Sequence, residues 1–171
     1  MKLFIKNMVC GRCIMVVKSE LEKLGYHTEN VILGEAEINK VLSKQEIEQI
    51  RKTISVSGFE LIDDNTGKLI ERIKTTIVQF VHYKNEDVNI NLSEFLESKI
   101  HKDYTYLSNL FSSAEGTTIE KYCINQKIEK VKELIVYGEL SLSEISYRLG
   151  YSSVAYLSSQ FKKVTGLTPS H

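Results

Sequence analysis

The sequence predicts an α+β protein: a small domain with element order β-α-β-β-α-β, then an all-helical domain built from two copies of one helix pair. Three observations carry this reading. Apolar spacing switches between strand-like and helix-like periods as far as Ile62 and is helix-like throughout afterwards. The polar run Asp63-Asp64-Asn65-Thr66-Gly67 separates the two regimes and reads as a turn, so the domains are taken as residues 1–64 and 65–171. Finally, Tyr106-Leu107-Ser108, Phe111 and Gly116 are echoed by Tyr156-Leu157-Ser158, Phe161 and Gly166, an internal repeat.

In the first domain, residues 2–6 form a short strand. Residues 13–24 form a helix with Met15, Val16, Leu21 and Leu24 as its apolar stripe, closed by Gly25. Residues 28–33 and 36–41 are strands on either side of the Gly34-Glu35 turn. Ser43 and Glu46 make a capping box that opens a second helix with Ile47, Ile50 and Ile54 inward. Gly58 ends it, and residues 59–62 are the last strand. This order is the ferredoxin-like pattern.

In the second domain, residues 69–83 place Leu69, Ile70, Ile73, Ile77, Phe80 and Val81 on one side of a helix. Asn91 or Ser93 caps the next helix, which runs to about Ile100, and residues 104–115 follow, stopped by Gly116. Thr117 and Glu120 open a longer helix that Gly138 closes. Residues 143–149 and 154–165 are the last helices, ended by Gly150 and Gly166, and Pro169 prevents continuation.

Composition bounds the function. Lys and Arg number 22 against 22 Asp and Glu, so any binding to phosphates must rest on local patches. The cysteines are Cys10, Cys13 and Cys123, a poor disulfide framework that fits a reducing, cytoplasmic compartment. The first residues carry too short an apolar run for a signal peptide. No stretch approaches the roughly 20 apolar residues of a membrane span. No nucleophile–base pair, phosphate loop or paired carboxylate suggests an enzyme.

Each copy of the repeat reads as a helix-turn-helix, which needs a small or turn-forming residue between its helices, apolar residues inside the second helix and short polar ones outside. In the second copy Ile145 and Leu149 supply the inner face, Ser146 lets the helices approach and Gly150 permits a left-handed turn. Leu157 and Phe161 anchor the second helix, leaving Ala155, Ser158, Ser159 and Lys162 outward, with Lys162 and Lys163 in reach of phosphates.

The stretch Leu142-Ser143-Glu144-Ile145-Ser146, Leu149-Gly150-Tyr151-Ser152, Tyr156-Leu157-Ser158, Phe161-Lys162-Lys163 and Thr165-Gly166-Leu167-Thr168-Pro169-Ser170 resembles the signature of the AraC/XylS family of transcription regulators. The likeness covers roughly residues 69–171. It implies sequence-specific binding of double-stranded DNA by two helices in successive major grooves, and activation or repression of transcription. RNA polymerase and a second copy of the chain remain open as further partners. Carried over by position, the base-facing residues are Thr105, Ser108 and Asn109 in the first copy and Ala155, Ser158 and Ser159 in the second. Asn109 suits an adenine edge. This chain departs from the family at Glu97, where a small residue is usual, at Lys127, often Arg, and at Ser112 and Ser113, which stand where the second copy has Lys162 and Lys163. The first unit is therefore expected to bind more weakly or to position the second. Family members usually continue past the position of His171, so the chain is expected to be cut short.

Met8-Val9-Cys10-Gly11-Arg12-Cys13 lies between the first strand and the first helix. Two thiolates at this spacing can converge on a soft ion, and a helix N-terminus lowers their pKa. Residues 1–64 resemble heavy-metal-associated domains, whose loop reads Met-x-Cys-x-x-Cys. With Cys10 and Cys13 as the only ligands, the resemblance implies two-coordinate Cu(I), or Zn(II) completed by a partner. Cysteines left over in a domain kept for dimerisation or ligand sensing are the competing reading, and Met8 is read as core. Cys123 is read as a small buried side chain; the histidines show no ligand spacing. The whole chain then reads as a DNA-binding transcription regulator, metal- or ligand-responsive through its first domain. The competing class is a soft-metal chaperone or storage protein with a helical interaction domain.

Overall fold

The computed structural model describes residues 1–63, 65–83 and 90–170, the side chain of Tyr83 excepted. The elements are β1 (Lys2–Lys6), α1 (Gly11–Lys23), β2 (Thr28–Ile32), β3 (Glu35–Ile38), α2 (Lys44–Val56), β4 (Glu60–Leu61), α3 (Asn65–Tyr83), α4 (Leu92–Ile100), α5 (Tyr104–Glu115), α6 (Ile119–Tyr137), α7 (Leu142–Arg148) and α8 (Val154–Thr165). They fall into two compact units, Met1–Thr76 and Ile77–His171. The chain is thus mixed α+β, with a small antiparallel sheet first and helices afterwards.

In the first unit the strand order is β2-β3-β1-β4, with β1 antiparallel to both β3 and β4. Leu3 faces Ala36 and Ile5 faces Leu61 across the sheet. Alternate residues of a strand share one face, so Leu3 and Ile5 are buried together with Ala36, Ile38 and Leu61. Val17 and Leu21 of α1 and Ile50 and Ile54 of α2 complete this core. The α1 stripe differs from the expectation. Met15 is 71% exposed and Val16 is also exposed, while Val17 and Leu21 are buried. The reason is helical phase: Val17 and Leu21 stand four apart on one face, and Met15 and Val16 lie off it.

The Ser43–Glu46 capping box is present, with the Ser43 N–H donating to Glu46 Oε2 at 2.8 Å and the Glu46 N–H to Ser43 Oγ at 3.3 Å. Gly34 turns the chain from β2 to β3 at φ 80°, and a Cβ there would meet the Thr75 methyl at 2.9 Å. Thr75 explains why the sheet unit runs past the polar turn. Helix α3 begins at Asn65, inside the expected turn run, and its first part lies against the sheet, with Lys68 Nζ 5.0 Å from the Phe4 ring centre. The division falls at Thr76, later than the boundary expected at 64, and Asp64 itself lies outside the described residues.

In the second unit α6 joins two helix pairs, α4–α5 and α7–α8. Around the second pair, Ile128, Val131 and Leu134 of α6 meet Ile145, Leu149, Tyr151, Leu157 and Phe161 in one cluster. In the first pair Leu96, Ile100, Leu107 and Phe111 are buried, as is Ile119 at the start of α6, and Phe111 meets Tyr122 of α6 edge-on at 5.6 Å. Each fully buried side chain of this size contributes about 1.5–3 kcal/mol. Two helix starts differ from the sequence reading. Ser141, with Glu144 in a capping box, opens α7, and Thr118 rather than Thr117 caps α6 by accepting the Lys121 N–H at 3.1 Å. Among the described residues no helix is long and apolar enough to cross a membrane.

Candidate nucleic-acid interface

The turn of the second helix pair is built from backbone bonds. The Gly150 N–H donates to the Tyr147 carbonyl at 3.0 Å and the Tyr151 N–H to the Ser146 carbonyl at 2.9 Å. Gly150 has φ 69°, the left-handed region where an L side chain is strained. Ser146 is 3% exposed, as a residue between close helices must be. Ser153 Oγ then accepts the Tyr156 N–H at 3.0 Å and starts α8. In the first pair the left-handed residue is His101, at φ 59°, and Asp103 Oδ1 accepts the Tyr106 N–H at 3.2 Å to start α5.

The two second helices, α5 and α8, expose their residues in the same order. From Tyr104 to Phe111 and from Val154 to Phe161 the burial of successive residues is identical. Leu107 and Phe111, like Leu157 and Phe161, point inward. Thr105 and Asn109 are exposed on α5; Ala155, Ser159, Lys162 and Lys163 are exposed on α8. Ser108 and Ser158 are half-buried, each one position past a core leucine. Every base-facing candidate thus lies on one of two helices of matching construction. Lys162 and Lys163 stand in the last turn of α8, while Ser112 and Ser113 hold the matching places on α5.

Sequence reasoning left out two residues of this face. Tyr106 is 50% exposed and Tyr156 is 53% exposed. Lys102 Nζ lies 5.5 Å from the Tyr106 ring centre, and Tyr156 meets Tyr151 edge-on at 6.0 Å. Their shared place in the repeat, beside Thr105 and Ala155, was the available signal. Lys127, on α6, lies with its Nζ 5.2 Å from the Tyr151 ring centre. Burial, then Cys123 and Tyr156, pushes the Tyr151 phenol up to about 12.

The cysteine pair is also brought together. Cys10 is the N-cap of α1, the Cys13 N–H donates to its carbonyl at 3.0 Å, and the two sulfurs are 3.5 Å apart. Burial raises the Cys10 thiol pKa, but the Cys13 N–H and thiol, the Arg12 N–H and the Arg12 guanidinium outweigh it and hold it below the ordinary value. Met8 is buried in the core, and Cys123 is buried on α6. Among the described residues no group of three or more metal-ligating side chains converges. His27 and His101 are exposed; His82 is half-buried, its pKa pushed down by burial first and Lys130 second. His171 lies outside the described residues.

Two short helices joined through a left-handed turn residue, the second with apolar anchors inward and polar residues exposed, and the pair repeated across a linking helix, form a helix-turn-helix arrangement of the kind that places a helix in the DNA major groove. Comparison with known proteins agrees. Residues 96–171 match the family model described as a helix-turn-helix domain. The HTH-type transcriptional regulator YtdP of Bacillus subtilis (strain 168) is 26% identical over 152 residues, which is 84% of this chain and 19% of YtdP. The C-terminal domain of AraT, a response regulator from Geobacillus stearothermophilus, is 25% identical with TM-score 0.51, covering 63% of this chain and 84% of that one. A transcriptional regulator from Chromobacterium violaceum with an AraC-type DNA-binding domain shares the fold at 21% identity and TM-score 0.51, covering 62% of this chain and 91% of that one. Residues 96–171 therefore carry a helix-turn-helix domain. The chain spans about a fifth of the length of its curated Bacillus relative.

Proposed function

We propose that the chain regulates transcription by binding double-stranded DNA in a sequence-specific way, with α5 and α8 in successive major grooves. The observation that carries this is the matched exposure of the two helices, each with core anchors inward and polar residues outward. Thr105, Ser108 and Asn109 face bases from α5, Ala155, Ser158 and Ser159 from α8, and Lys162 and Lys163 bind phosphates. Asn109 is the one side chain of this set with the paired donor and acceptor that an adenine edge takes. Anisotropy titration of a labelled mixed-sequence duplex tests the reading. Affinity falls steeply between about 50 and 200 mM salt, as phosphate contacts require; no binding at the low end overturns it. Asn109→Ala relaxes preference at one base position by about 1–3 kcal/mol, and unchanged selectivity removes it as a reader.

The first unit reads as a ferredoxin-like domain similar to heavy-metal-associated domains, supported by its element order and its strand order β2-β3-β1-β4. The donor set of Cys10 and Cys13 fits a soft ion: their sulfurs lie 3.5 Å apart, and the Cys10 thiol is held below its ordinary pKa by the Cys13 and Arg12 groups beside it. Two thiols suit two-coordinate Cu(I), whereas tetrahedral Zn(II) needs ligands from elsewhere. A bound ion would cross-link the loop before α1 to its first turn and so couple metal supply to the first unit. Competition with a chromophoric chelator checks this. The chain withdraws Cu(I) from the chelator and the Cys10→Ser/Cys13→Ser variant does not; equal behaviour of the two removes the metal role.

A further inference from the structure

The two helix pairs reach the same arrangement by different chemistry. In the second pair, small buried Ser146 allows close packing, and buried Tyr151 follows the left-handed Gly150 before Ser153 caps α8. In the first pair Glu97 takes the place of Ser146 and His101 that of Gly150. Lys102 alone separates His101 from the Asp103 cap, whereas Tyr151 and Ser152 separate Gly150 from Ser153. The first connection is therefore shorter and brings no tyrosine into the core.

A glutamate is too long to be packed between close helices, and Glu97 is half-buried instead. Its Oε1 accepts the backbone N–H of Tyr104 at 2.7 Å. Tyr104 is the first residue of α5, so this N–H is one of those a helix leaves without an internal partner. The bond is charge-assisted and lies at the positive end of the helix, where a carboxylate is favoured. Asp103 holds the next part of the same turn through the Tyr106 N–H. From α6, Glu120 accepts the Tyr104 hydroxyl, and that bond is the first cause of a lowered Glu120 pKa.

We propose that Glu97 is a positioning residue for the first reading helix: its carboxylate ties the start of α5 to α4 and so sets how Thr105 and Asn109 are presented to DNA. The inference rests on the reading of α5 as a DNA-facing helix. It also gives the departure at Glu97 a use, since a small residue at this place has no carboxylate to accept the Tyr104 N–H.

Amide hydrogen exchange on the full chain, with E97A and E97Q alongside duplex titration, tests the proposal. Glutamine keeps an acceptor oxygen, so the wild-type chain and E97Q both protect the Tyr104 N–H. E97A speeds its exchange by about tenfold or more and leaves the amides of α8 unchanged. In the titration E97A binds about tenfold more weakly and E97Q stays within about twofold of wild type. Equal exchange at Tyr104 in all three chains overturns the proposal, as do equal losses of affinity in E97A and E97Q. If E97A does not fold, an unprotected Tyr104 N–H in the folded wild-type chain overturns it without that variant. A wild-type chain that binds no duplex defeats the DNA reading, while the exchange result still decides whether Glu97 holds α5.

Discussion

Replacing Lys162 and Lys163 together by alanine weakens binding to every duplex alike and flattens the slope of log affinity against log salt by about 2. Both ammonium groups are exposed in the last turn of α8, beyond the core anchor Phe161. A lysine there is a point charge on a flexible stem, suited to a phosphate rather than a base edge. The matching places on α5 are Ser112 and Ser113, so the first helix pair has no equivalent lysines to compensate. Lys132→Ala serves as the control, because Lys132 lies on the linking helix α6, where it pairs with Glu129 at 2.7 Å. A slope unchanged by the double substitution, or lowered equally by the control, contradicts the phosphate role.

Phe161→Ala has the largest expected effect on stability, a loss of about 3–5 kcal/mol. The ring is buried in the cluster that joins α6, α7 and α8 through Ile128, Val131, Ile145, Leu149 and Leu157. Removing it leaves a cavity at the point where α8 is held in place, so DNA affinity falls with it. Ser159→Ala, on the exposed side of the same helix, changes stability by less than about 0.5 kcal/mol. Urea denaturation of the two variants measures both. A loss below about 1 kcal/mol for Phe161→Ala contradicts its role as an anchor.

Local chemistry was legible in the sequence where local chemistry decides the structure. The Ser43–Glu46 box forms as read, because both bonds lie within one turn. The inward set Ile145, Leu149, Leu157 and Phe161 follows from helical spacing and is buried. The errors arise where distant contacts choose between local options. Thr117 and Glu120 have the spacing of a capping box, but Glu120 accepts the Tyr104 hydroxyl and Thr118 becomes the cap. Asn65, Thr66 and Gly67 look like a turn, yet they begin α3, whose Thr75 lies against Gly34 of the sheet. Met15 and Val16 are apolar and so suggest an inward stripe, but the face that carries Val17 and Leu21 is the one that packs.

The outward faces of α5 and α8 were legible because the repeat supplies two copies of one pattern. Each copy checks the other, and the burial of α5 and α8 runs in step. The exposed Tyr106 and Tyr156 were missed because an aromatic residue in a helix is usually read as core. Glu97 was visible only as a departure, since nothing in a sequence says that a side chain will reach the first N–H of the following helix. The spacing of Cys10 and Cys13 was plain in the sequence, and the fold then brings their sulfurs to 3.5 Å.

Selection of bound duplexes from a randomised pool tests the central claim most directly. One enriched sequence is expected, with two conserved segments about 10 bp apart on one face of the DNA, bound at least about 1,000-fold more tightly than the starting pool. A pool that shows no enrichment, with every duplex bound equally, contradicts it.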